Sequence, residues 1–124
     1  MQDHEVFLAV GEDGFSRLVA AFYRQVALDD ILGRIYPQDD LAGAEERLRG
    51  FLIYRFGGPE TYIERRGHPR LRMRHAPFRV DEAARHRRVE LMDRALEEVQ
   101  FSPDVRKILT EYFESTATAM INSR

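Results

Sequence analysis

Apolar residues recur at intervals of three and four in four separate stretches of this 124-residue chain, and glycines and prolines divide the stretches. Such spacing puts each apolar set on one face of a helix, and it constrains the fold more than any other feature of the sequence. Phe15, Leu18, Val19, Phe22 and Val26 predict an amphipathic helix over roughly residues 14–28. A second helix follows Asp39-Asp40, whose carboxylates suit a helix N-terminus. Its stripe is Leu41, Ala44, Leu48, Phe51 and Leu52, with Phe56 at the edge of the pattern, and Gly57-Gly58-Pro59 ends it. Asp81 caps a third helix carrying Ala84, Val89, Leu91, Met92, Leu96 and Val99. The fourth has the clearest start, with Ser102 as cap, Pro103 at the first helical position and Asp104 in the first turn. Val105, Ile108, Leu109, Tyr112, Phe113, Thr116 and Met120 continue its stripe. Residues 31–36 read as a short apolar turn stopped by Pro37, residues 57–70 as a structured loop, and residues 71–76 as a short element between Pro69 and Pro77. Alternation with a period of two is confined to residues 70–74. The class is all-α, in one domain spanning 1–124.

Composition narrows the chemistry. There is no cysteine, which removes disulfides, thiolate metal sites and a cysteine nucleophile, and fits a reducing compartment. Residues 1–10 include Asp3, His4 and Glu5 and do not read as a signal peptide, and no stretch is apolar enough for a membrane span. The expected location is the cytoplasm, with no membrane partner. Net charge is -2, unevenly spread: residues 65–94 hold 10 basic and 4 acidic groups, whereas residues 1–64 hold 6 and 12. The middle of the chain is thus suited to meet an anion.

Phosphate-cradling glycine loops, paired histidines with a glutamate and nucleophile elbows are absent. Of the four histidines, His4 lies near an end, His68 precedes a proline and His86 sits in a charged run. His75 shares a helical face with Leu71 and stands three residues before Phe78, which suits an axial haem ligand. On spacing alone, a hydrogen-bonded, half-buried histidine is the commoner use of such a residue. Five arginines within residues 65–75 make an anion clamp, for haem propionates, a nucleotide or nucleic acid phosphate, or else a solvated loop balancing the acidic half. Tyr23, one position after Phe22, can bring its hydroxyl to a cavity bounded by the first helix, and Tyr36 closes the short turn.

Several runs together carry a resemblance. Phe22-Tyr23, Tyr36-Pro37, residues 39–48, Phe56-Gly57-Gly58-Pro59, residues 66–75 and Asn122-Ser123 resemble group II truncated haemoglobins in order and spacing over essentially the whole chain. The resemblance implies a truncated globin, a two-over-two helical sandwich around haem b, with His75 on the iron. It implies that Tyr23 and Tyr36 are the distal hydroxyls, that Ala44 is a small residue where larger globins carry histidine, and that Leu48 packs over the iron. It further implies that Arg47, Tyr62 and Arg72 hold propionates, and that Leu71 and Phe78 belong to the haem contacts, Phe78 on the proximal face. Two positions depart from the family. Phe56 replaces the usual tryptophan before Gly57, and an ungapped count from His75 puts Arg88 where the family has its distal tryptophan. Because arginine keeps its charge, two courses are open to Arg88: along the haem edge to a propionate, which is the expected one, or inward to donate to the ligand, directly or through water.

The function implied is reversible binding of O2 or another diatomic ligand such as NO or CO. The alternative implied by the family is a haem enzyme, a nitric oxide dioxygenase or a peroxidase acting on peroxide, served by an unidentified reductant. Whether the chain forms a homodimer is left open. The arginine-rich middle, taken alone, also leaves a haem-free binder of phosphate or nucleic acid; with the resemblance, nucleic acid is not an expected partner.

Overall fold

The computed structural model describes residues 1–36, 38–59 and 81–119. They form four helices: α1 (Val6–Val26), α2 (Leu41–Arg55), α3 (Glu82–Val99) and α4 (Pro103–Ala119). Short 3₁₀ turns cover Asp3–Glu5, Leu32–Arg34 and Gln38–Asp40, and no strand occurs among the described residues. The short element expected at residues 71–76 lies outside them.

The apolar stripes become one core. Phe15, Leu18, Val19, Phe22 and Val26 of α1 are buried together with Ala44, Leu48 and Leu52 of α2, Leu91, Met92 and Leu96 of α3, and Val105, Leu109 and Phe113 of α4. Each fully buried large side chain here contributes roughly 1.5–3 kcal/mol. Helix α1 packs against both α2 and α3, and α3 packs against α4. Phe56 is fully buried, 6.1 Å from the ring of Phe15 and 5.1 Å edge-on from that of Tyr112, so the smaller aromatic still closes the end of α2.

The caps follow the sequence closely. The Asp81 carboxylate accepts from the Ala84 N–H at 3.0 Å, and Ser102 Oγ accepts from the Val105 N–H at 3.4 Å. Asp40 is the exception. It occupies the N-cap position of α2, yet its side chain caps nothing and pairs with Arg47 at 3.0 Å. Gly43 makes room for that pair, since a Cβ there would lie 2.2 Å from Asp40 Oδ1.

Helix α1 begins eight residues earlier than its apolar stripe suggests. Gly11, at φ 68° and ψ 179°, interrupts the helical geometry, so Val6 and Phe7 are rotated out of the register of the later stripe and still pack on the core. The Phe7 N–H donates to the Phe56 carbonyl at 3.0 Å, which ties the start of α1 to the end of α2. Gly57 makes this junction possible: its φ is +100°, and a Cβ on it would fall 1.9 Å from the His4 carbonyl oxygen. Gly57→Ala combines a left-handed backbone with that clash and is expected to cost about 1–3 kcal/mol, read as a lowered Tm in a thermal melt. An unchanged Tm would contradict the close approach.

Candidate functional site

The site is built where α1, the turn after it, α2 and α3 meet. The turn is shaped by Asp29. Its Oδ2 accepts the backbone N–H groups of Ile31 at 3.0 Å and Leu32 at 2.8 Å, a local arrangement that short acidic side chains favour. Its Oδ1 accepts from Arg87 of α3, which also reaches Asp30 at 3.3 Å. The Asp29 side chain is only 7% exposed, so this is a covered pair rather than a surface one. Leu32, Ile35 and Tyr36 are buried as a result, and Tyr36 is delivered to the core.

Burial alone would raise the Asp29 carboxyl, but the Leu32 N–H, the Arg87 guanidinium and the Ile31 N–H outweigh it and hold the group below its ordinary range. A carboxyl whose folded pKa is depressed adds stability above its unfolded value, near 4, and loses it as pH falls through the folded value. Asp29→Asn should therefore destabilise the protein by about 1–3 kcal/mol at neutral pH, with the difference from the unaltered protein shrinking in acid. Thermal melts of both proteins between neutral and acid pH measure this; a difference independent of pH would contradict the pairing.

Tyr23 and Tyr36 meet edge to face, with ring centroids 5.5 Å apart. Both are buried. Burial pushes the Tyr23 phenol far above its ordinary value and Tyr36 adds to the rise, while Arg88, Arg47 and Glu45 lie close enough to act on it electrostatically. Tyr23 therefore stays neutral at any physiological pH and keeps its O–H as a donor. Ala44 and Leu48 are buried one turn apart on α2, in the same core cluster as both tyrosines.

Arg88 reaches Tyr36: its Nη1 donates to the Tyr36 hydroxyl. Its guanidinium carbon lies 5.7 Å from the centroid of the Phe22 ring and 5.9 Å from that of Tyr36. The phenolic oxygen and two aromatic faces give the charge partners in a half-buried place, which is why it can turn inward. Its neighbours point elsewhere: Arg85 donates to Thr118 Oγ1 at 2.9 Å, and His86 is exposed, 3.5 Å from Glu82.

The site thus brings together two buried phenols, a small and a branched apolar side chain, and two arginines beside them. Comparison with known proteins gives the family. A family model described as bacterial-like globin matches residues 5–122. The chain belongs to this family. The group 2 truncated hemoglobin YjbI of Bacillus subtilis is 36% identical over 114 residues, which is 92% of this chain and 86% of that one. Among solved structures, a thermostable hemoglobin from the actinobacterium Thermobifida fusca is 47% identical with a TM-score of 0.89, covering 94% of this chain and 96% of that one. A truncated haemoglobin from Bacillus subtilis, described as oxygen-avid, is 35% identical with a TM-score of 0.88, covering 94% and 98%.

This bacterial-like globin thus has the truncated two-over-two helical fold, and globins of its family bind haem through iron. The structure brings together Tyr23, Tyr36 and Arg88, with Arg47 close to Tyr23. His75, Tyr62, Leu71, Arg72 and Phe78, with the rest of the arginine-rich segment, lie outside the described residues. Asp29 and Arg87 were not singled out by the sequence. The signal for Asp29 was present, an Asp-Asp pair just before a short apolar turn; nothing in the sequence indicates that Arg87 would reach back to it. No helix among the described residues is long and apolar enough to cross a membrane.

Proposed function

We propose that this globin holds one haem b through His75 and binds O2 reversibly on the side occupied by Tyr23 and Tyr36. The observation that carries the reading is the meeting of two buried phenols beside Ala44 and Leu48, with Tyr23 fixed in its neutral, donating form. The donor set fits the group: hydroxyls for a ligand that gains partial negative charge, apolar carbon for the porphyrin face, and arginines for its carboxylates. Ferrous haem supplies the metal that takes a diatomic gas.

The chain's own residues then do three things. Tyr23 donates its hydroxyl proton in a hydrogen bond to the ligand without losing it, because burial forbids the phenolate. Tyr36, whose oxygen accepts from Arg88, is the second hydroxyl on that side. Arg47, Tyr62 and Arg72 hold the haem carboxylates. An oxygen-avid relative of the same fold supports O2 as the ligand. The test is to reduce the haem-loaded protein and cycle it between air and nitrogen. Reversible conversion between two ferrous spectra is expected; immediate oxidation to the ferric form on contact with air would overturn the reading.

A further inference from the structure

We propose that Arg88 makes the distal side a site for small monovalent anions, of the class of azide and nitrite, on the ferric form of the protein. The proposal rests on the haem reading above and adds a ligand class to it.

Arginine cannot shed its charge, and Arg88 is half-buried against the faces of Phe22 and Tyr36. Neighbouring arginines resolve the same difficulty with carboxylates: Arg87 with Asp29 and Asp30, Arg94 with Glu90, Arg47 with Asp40. Among the described residues Arg88 pairs with no carboxylate and instead gives one of its five N–H donors to a phenol. The phenol next along the pocket, Tyr23, is held neutral by burial and so brings no negative charge to it.

A full positive charge beside a low-dielectric pocket acts strongly on charge and weakly on dipoles. A neutral gas such as CO gains little from it. A small anion gains both the Coulomb attraction and a charge-assisted hydrogen bond. Among the described residues Glu45 is the carboxylate that acts on Tyr23, and Arg88 acts on it with the opposite sign and more strongly. The pocket therefore favours an anion over a neutral ligand of the same size more than two phenols alone would.

The experiment uses the full-length haem-loaded protein. Azide and nitrite are titrated into the ferric form and CO into the ferrous form, for the unaltered chain and for Arg88→Met, Arg88→Gln and Arg88→Lys. Arg88→Met and Arg88→Gln should weaken azide and nitrite binding by about ten- to hundredfold, and CO by at least about tenfold less than azide. Gln retains an N–H donor without the charge, so it separates charge from hydrogen bonding and stands in if Met perturbs folding. Lys should recover part of the loss. Anion affinities that do not change in Met and Gln, or that fall in step with CO, would overturn the proposal while leaving the haem reading intact. Failure of the unaltered chain to take up haem would overturn both.

Discussion

His75→Ala should strip the protein of its iron ligand. Haem should be retained poorly, and the ferrous spectrum of a histidine-held haem should return only with added imidazole. The same substitution at His68 or His86 should leave that spectrum in place. The contrast follows from what the histidines are doing. His86 is exposed and sits over Glu82 on α3, a solvated helix face where its loss is of little consequence. His4 belongs to the first 3₁₀ turn, where its backbone carbonyl, not its ring, meets Gly57. His68 stands directly before Pro69 in the sequence. Only His75 combines a run of apolar neighbours with the resemblance to an axial ligand. An unchanged ferrous spectrum in His75→Ala would remove it from the iron.

Tyr23→Phe should release O2 roughly five- to thirtyfold faster, because a single neutral hydrogen bond contributes about 1–2 kcal/mol. The substitution removes one oxygen from a ring that is otherwise held by Phe22 at 5.1 Å and Tyr36 at 5.5 Å, so the pocket keeps its shape. CO accepts hydrogen bonds poorly and should be released at a rate far less altered. Stopped-flow displacement of each gas from the two proteins measures this. Equal acceleration of both gases would show that the Tyr23 hydroxyl does not address the ligand and that the change lies in access.

The helices were largely legible because burial follows period: the stripes of α2 and α4 are the buried faces, and Asp81 and Ser102 cap where their side-chain chemistry says they should. The start of α1 was not, because Gly11 rotates the helix by one non-helical residue and breaks the very periodicity used to find it. Asp40 shows a different failure. Its position was right, but Gly43 opens a space that lets its carboxylate choose Arg47 over the backbone, and that competition cannot be read one helix turn at a time. At the site, Tyr23 and Tyr36 were readable from their place in the chain. The hydrogen bond from Arg88 to Tyr36 was not, because its acceptor lies 52 residues away. Long-range polar pairing, of which Arg87 with Asp29 is the second case, is where a single sequence says least.

The most direct test of the central claim is a spectrophotometric titration of the haem-free protein with haem b, followed by reduction. Uptake should saturate at one haem per chain, with an intense Soret band and, after reduction, the spectrum of a ferrous haem held by one histidine. Uptake without saturation, or a saturated complex whose ferrous spectrum is that of haem free in solution, would contradict the account.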